Sequence, residues 1–337
     1  GHAVAVASAG GAWEGELAAG DIPLIRVPLD TKSILAPKLL KAAVRLRAFV
    51  RTTGVDIVHA NTRVGQMAAF LLQRLSGVPY VSTYHGYYRA HALRRLVPLT
   101  GVRAIAISDE IRRHAIEDLG LDADAVSTVY NGIDISGTAA ALERGRARRD
   151  LSLDGDPVIG IVARLSPEKN HELLFAAFAR LLQRYPGARL VVFGQGRCES
   201  RLRERAAETG IESSVTFIHR ADLDTVYASL DLAVLPSRQE GFGLTIVEAQ
   251  WRGVPVIGSP AGGIAEVIEN DVTGFVLNGF DAGELCDKMV RLLDDRALRT
   301  RFVDAARARV RERFSLETMA AGTCRVYEQA LKKGTDA

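Results

Sequence analysis

Two doubly wound α/β domains, each built on a parallel sheet, are expected of this chain on three grounds. Its 337 residues exceed what one ordinary core holds. Short, mostly apolar β-branched runs alternate with longer amphipathic stretches, the pattern of parallel strands covered on both faces by helices. This rhythm runs once to about residue 130, breaks at a turn-rich stretch, and restarts after Gly155.

In the first series, residues 3–8, 55–59, 80–84, 104–107 and 126–130 read as buried strands. Residues 37–51, 64–75 and 109–119 read as helices. The break covers 137–157. Within it, 139–149 reads as a helix with little apolar face, and Leu153-Asp154-Gly155-Asp156-Pro157 as a linker. The second series has strands at 158–162, 190–193, 215–218, 232–235 and 254–257, with helices at 170–184, 199–209, 244–252 and 282–293. Helices at 296–313 and 315–332 close the chain. The domains are drawn accordingly: 1–150, 151–313, and a C-terminal helix, 314–337, returning to the first domain.

Composition narrows the classes. Apolar residues make up 47% and charged residues 25%, the balance of a globular protein. No apolar run of about 18 residues occurs, so no spanning helix is expected, and no basic-then-apolar leader is seen. The three cysteines, Cys198, Cys286 and Cys324, are scattered without a Cys-x-x-Cys pair, which fits a reducing cytoplasm better than a disulfide framework or a structural zinc site. A net charge of +3 does not call for nucleic acid as a partner. Its distribution is uneven: residues 1–150 hold 19 Lys+Arg against 14 Asp+Glu, and the rest hold 24 against 26.

Ligands of open parallel sheets gather beyond the carboxyl ends of the strands. After strand 158–162 come Arg164 and Lys169, then a helix. Two cations beside a helix N-terminus suit a pyrophosphate, although alone they would read as ordinary surface residues. After strand 232–235 come Glu240, Gly241, Phe242, Gly243, Leu244 and Thr245, then Glu248 on the helix. The glycines expose backbone N–H groups at the helix start, and an acceptor-only carboxylate at 248 can take two sugar hydroxyls. A Glu among Ile246, Val247, Ala249 and Trp251 needs a partner if buried. Gly262-Gly263, before Glu266, opens another helix at a strand end and is a weaker phosphate candidate, as is the pair Gly194 and Gly196.

Taken together and in this order, these residues resemble family 4 of the glycosyltransferases, retaining enzymes of the GT-B fold. Glu240 and Glu248 match the family's Glu-x7-Glu signature, Arg164-Leu165 with Lys169 its Arg-Leu…Lys pair, and Gly262, Gly263 and Glu266 its Gly-Gly…Glu turn. The resemblance implies two Rossmann-like domains facing across a cleft. It implies transfer of a sugar from a nucleotide diphosphate sugar, such as a UDP- or GDP-sugar, with retention and without a metal or other cofactor. Arg164 and Lys169 would hold the diphosphate, and Glu240 would meet the transferred sugar. Residues 241–245 would line the phosphate side, and Glu248 would bind the ribose. Ile218 and His219 would meet the base, although His219 stands where the family commonly has glycine. His85, in Val81-Ser82-Thr83-Tyr84-His85-Gly86, would approach the donor sugar. The catalytic set implied is thus Glu240, His85, Arg164 and Lys169. Set against the family, the chain opens at what looks like the second strand, so the family's first strand and glycine-rich loop are expected to be missing. A sugar-nucleotide epimerase and a non-catalytic sugar-nucleotide-binding protein are the rival functions.

One stretch points to a membrane. Residues 38–51 carry five basic residues and no acidic one, and Leu39, Ala43, Leu46 and Val50 form a helical stripe between the cations. The same pattern fits a helix that covers a sheet and has a solvated basic rim. The expected acceptor is a glycan or lipid-linked glycan of a cell-envelope or surface polysaccharide such as lipopolysaccharide. The expected location is the cytoplasm, with peripheral contact on the anionic inner face of its membrane.

Overall fold

The computed structural model describes residues 2–89, 99–136 and 143–334. The chain divides into two compact units. Gly1–Ile107, Ile111–Val129 and Ala321–Ala337 make the first, and Ser108–Glu110 with Tyr130–Ala320 the second.

In the first unit, β3 (Val58–Ala60), β4 (Tyr80–Tyr84), β5 (Arg103–Ala106) and β6 (Val126–Thr128) form a parallel sheet in sequence order. A separate parallel pair joins β1 (Val6–Ser8) to β2 (Leu24–Arg26). The helices are α1 (Glu14–Ala19), α2 (Lys38–Thr53), α3 (Arg63–Ser76) and α4 (Asp109–Glu117). Thr62 starts α3 by accepting a hydrogen bond from the Gly65 N–H, and Gly77 ends it in the left-handed region. Helices α2 and α3 pack Ala42, Ala43, Leu46 and Leu72 against Val27 and Val78.

The second unit carries a six-stranded parallel sheet ordered β12-β11-β10-β7-β8-β9. Its strands are β7 (Val158–Val162), β8 (Arg189–Phe193), β9 (Val215–Ile218), β10 (Leu232–Leu235), β11 (Val256–Gly258) and β12 (Phe275–Val276). Between and after them lie α5 (Arg144–Asp150), α6 (His171–Leu181), α7 (Glu199–Glu208), α8 (Leu223–Ser229), α9 (Leu244–Trp251), α10 (Ile264–Val267), α11 (Ala282–Asp294) and α12 (Arg296–Arg313). Every residue of β7 and β10 is buried, as the continuous apolar runs demanded of strands covered on both faces. Helix α13 (Leu316–Gly334) ends the described chain; from Ala321 on it belongs to the first unit, within which Val326 and Ala330 pack with Val81 and Ile105.

Several expectations shift. The division expected at 150 falls earlier, because α5 belongs to the second unit: Arg148 pairs with Asp231 at 2.5 Å and with Asp156 at 3.0 Å. Part of the helix expected at 139–149 lies outside the described residues; what is described begins at Arg144. The strand expected at 126–130 stops at Thr128, which releases Tyr130 into an aromatic cluster of the second unit. Asn170 does not open α6 as a helical residue but turns into the left-handed region at φ 54°.

Candidate functional site

The site grows from two loops at the carboxyl end of the second sheet. The first leaves β7. Leu165 is fully buried and its N–H bonds the Gln195 carbonyl at 3.0 Å, which pins the loop to the segment after β8. A Cβ on Gly194 would stand 2.0 Å from the Ala163 carbonyl oxygen, and one on Gly196 2.2 Å from that of Leu165. These two glycines therefore serve close backbone packing, which any side chain would prevent. Ser166 donates to Glu168 at 2.6 Å, which holds the Glu168 carboxyl below its ordinary range. Pro167–Lys169 then forms a 3-10 turn that brings Lys169 round towards β10. Arg164 is exposed and makes no hydrogen bond or ion pair among the described residues.

The second loop leaves β10. Glu240 Oε2 accepts from Lys169 Nζ at 2.5 Å and from Ser237 Oγ at 3.2 Å. Both partners of this ion pair keep less than a fifth of their side-chain surface exposed. A second tie joins the loops: the Arg238 N–H donates to the Glu168 carbonyl at 2.7 Å. Gly241 gives its carbonyl to Ser108 Oγ at 2.7 Å. Phe242 is buried, stacked on Tyr130 at 5.9 Å and edge-on to Phe314 at 5.6 Å. Gly243 turns at φ +98°, a conformation that suits glycine, and α9 starts from it. Leu244 stands exposed at that start.

The diglycine supports this loop from below. The Gly263 N–H donates to the Glu240 carbonyl at 3.2 Å, and a Cβ at 263 would lie 2.5 Å from Phe242 Cα. Close backbone contact, not an open phosphate seat, is what this structure shows for Gly263. Glu266 faces the Asp109 and Glu110 N–H groups at a helix start, accepting from each at 2.8 Å.

Glu248 lies on α9 and is half-buried. Its Oε2 is 2.9 Å from the Tyr227 hydroxyl, which is also 3.0 Å from the Thr245 carbonyl. Burial pushes the Glu248 carboxyl above its ordinary range, against the Tyr227 hydrogen bond and the nearby Arg252 charge. Ile218 ends β9, and its carbonyl accepts from the Gly194 N–H at 2.9 Å. His219 is exposed, with Nδ1 3.1 Å from the Gly194 carbonyl and Nε2 3.2 Å from Glu199. The structure thus brings Lys169 and Glu240 into direct contact, and sets Glu248 one helix away on its own partner. His85 belongs to the first unit, where its Nε2 lies 3.3 Å from Asn61 Oδ1 and burial lowers its pKa.

Tyr227 escaped the sequence reading, although it left a signal there: a tyrosine within an apolar run needs a partner for its hydroxyl once buried. Among the described residues, no group of three or more His, Cys, Asp or Glu side chains converges on a metal-sized point.

Two parallel-sheet α/β units, the second with a cation–carboxylate pair and a glycine-led helix beyond its strands, define a glycosyltransferase of the GT-B class. Comparison with known proteins agrees. The model for glycosyl transferases group 1 matches residues 143–309, and that for glycosyltransferase family 4 matches residues 1–136. The chain belongs to the family 4, group 1 glycosyltransferases. It is 28% identical over 331 residues to the D-inositol 3-phosphate glycosyltransferase of Corynebacterium efficiens, covering 89% of this chain and 77% of that one. It is also 28% identical over 291 residues to an Escherichia coli UDP-Gal:alpha-D-GlcNAc-diphosphoundecaprenol alpha-1,3-galactosyltransferase, covering 81% and 75%. The Anabaena protein HepE, solved in complex with UDP-glucose, superposes with a TM-score of 0.81 at 25% identity, over 96% of this chain and 90% of that one.

Proposed function

We propose that this glycosyltransferase is a retaining, metal-independent enzyme that moves a sugar from a nucleotide diphosphate sugar to a glycan or lipid-linked acceptor. The observation that carries the proposal is the Lys169–Glu240 pair, held by two loops that are themselves tied together. Lys169 and Arg164 meet the diphosphate, and Glu240 takes hydroxyls of the transferred sugar. In the free protein Lys169 and Glu240 satisfy each other; donor binding exchanges that contact for phosphate and sugar. Residues 241–245 line the phosphate side, Glu248 takes the ribose, and Ile218 and His219 meet the base. In the reaction, the bond from the anomeric carbon to the diphosphate oxygen breaks with its electron pair on that oxygen. The acceptor hydroxyl bonds to the carbon on the same face, and its proton passes to the leaving diphosphate. Fixed cations at the leaving group stabilise the charge as it develops.

The named activities of the relatives support this choice of donor and acceptor. The Escherichia coli protein is named for a UDP-sugar and a lipid diphosphate acceptor, and HepE was solved with UDP-glucose. The test is calorimetric titration with UDP, GDP, ADP and CMP, each with and without its common sugars. One nucleoside diphosphate is expected to bind selectively, and Lys169→Ala and Glu248→Ala each to weaken that binding without removing it. A folded protein that binds none of them overturns the proposal.

The membrane part of the proposal moves to another face of α2. The stripe named above is the inner one: Leu39, Ala43 and Leu46 are buried, and Val50 packs on the same core. Outward, Leu40 and Val44 are 51% and 55% exposed. Lys41, Arg45 and Arg51 are exposed around them. An apolar pair ringed by cations suits peripheral docking on the anionic cytoplasmic face of a membrane. No described helix is long and apolar enough to cross one. Sedimentation with phosphatidylglycerol vesicles at low salt is expected to carry the protein down, and Leu40→Asp with Val44→Asp to release it. Equal sedimentation with neutral vesicles would sink this part.

A further inference from the structure

Tyr227 is wholly buried on α8. Its hydroxyl touches two acceptors, Glu248 Oε2 at 2.9 Å and the Thr245 carbonyl at 3.0 Å. A phenol has one proton to give. The Thr245 carbonyl lies in the first turn of α9, where the helix supplies its own donor four residues on. The Glu248 carboxylate has no such alternative: among the described residues no other side chain donates to it. Resting on the assignment of Glu248 to the donor ribose, we propose that Tyr227 is a positioning residue of the donor site. Its hydroxyl donates to Glu248 Oε2, holds the carboxylate in one rotamer, and leaves Oε1 to accept the ribose hydroxyls.

The surroundings bear this out. Arg252 lies over the Tyr227 ring at 5.1 Å, but its Nε is taken by Asp224 at 2.6 Å and its Nη1 by the Glu248 main-chain carbonyl at 3.3 Å. From α12, Arg307 reaches the Trp251 carbonyl and Arg311 the Trp251 ring. Strands β10 and β11 bring no titratable group, and Glu266 of α10 is turned to the Asp109 and Glu110 N–H groups. Among the described residues, no other side chain thus stands ready to replace the phenol. Burial already works against ionisation of Glu248, and the Tyr227 hydrogen bond works for it. Removing the hydroxyl therefore lifts the carboxyl further, and ribose binding fades at a higher pH as the medium is acidified.

The test is calorimetric titration of the whole chain with UDP and GDP over a series of pH values, from the acid limit of the folded protein to about pH 8. Tyr227→Phe keeps the ring, and its melting midpoint confirms a folded protein. It is expected to weaken the tighter nucleotide by about ten-fold, the worth of one hydrogen bond to a charged group. It is also expected to move the acid limb of the affinity profile to higher pH. Glu248→Gln is expected to remove the acid limb, and adding Tyr227→Phe to it to change little. An acid limb unmoved in Tyr227→Phe, or the same loss in the presence and absence of Glu248, overturns the inference. If Glu248→Gln binds as the parent does, or the folded parent binds neither nucleotide, the ribose assignment itself falls and this inference with it. If Glu248→Gln weakens binding and Tyr227→Phe does not, only the positioning role falls.

Discussion

Lys169→Ala is expected to slow sugar transfer by about a hundred- to a thousand-fold, the usual cost of removing one preorganised charge stabiliser from a developing anion. The loss should fall on kcat as well as on donor affinity, because the diphosphate gains charge as it leaves. Two effects add here. On the proposed reading the leaving group loses a cation, and Glu240, mostly covered, loses its ion-pair partner and keeps the Ser237 hydroxyl at 3.2 Å. Leaving a mostly covered carboxylate without its cation is costly, so the loop that holds Glu240 is expected to shift. Lys169→Arg should restore part of the rate, since the charge returns with a different shape. Steady-state kinetics with a saturating donor decides it: a Lys169→Ala enzyme with unchanged kcat removes Lys169 from the catalytic set.

Phe242→Ala is expected to destabilise the second unit by about 3–5 kcal/mol, the range for an aromatic side chain lost from a core. That is a large part of the roughly 5–15 kcal/mol by which a domain is usually stable. Phe242 is 2% exposed and packs on both Tyr130 and Phe314, which themselves meet edge-on at 5.6 Å. Little can close the hole, because the Phe242 backbone is already set against Gly263. The same change should loosen the neighbouring Glu240 and depress transfer even in the fraction that stays folded. Leu244→Ala, two residues along but exposed, should cost within about 0.5 kcal/mol. Denaturant unfolding of the two variants provides the comparison. A Phe242→Ala loss below about 1 kcal/mol would mean that the aromatic cluster does not anchor the loop.

The sheet of the second unit was legible wherever strands were long and buried on both faces. β7 and β10 begin and end where their apolar runs do. The misses have a common physical origin. Helix α1 has no buried residue, so it leaves no periodic apolar face to read. β2 is three residues long between Pro23 and Pro28, too short to show an alternation. Helix α8 spans seven residues and is set by its cap, Asp222 accepting from the Thr225 N–H, more than by any pattern.

The sequence by itself determined the class of fold, the family, and the residues that stand at the strand ends of the second unit. It did so because burial on both faces of a parallel strand writes a continuous apolar run, and because Glu240, Glu248, Arg164 and Lys169 hold fixed spacings along the chain. Only the tertiary structure decided who touches whom. Lys169 and Glu240 are 71 residues apart, and Tyr227 and Glu248 are 21 apart, so neither pair leaves a local pattern. It likewise decided that Gly194, Gly196 and Gly263 make room for neighbouring backbone, and that the inward stripe of α2 is core while Leu40 and Val44 face out. A strand's periodicity is local and can be read along the chain. The meeting of two loops is set by the order of strands in the sheet, and exists only once the sheet has formed.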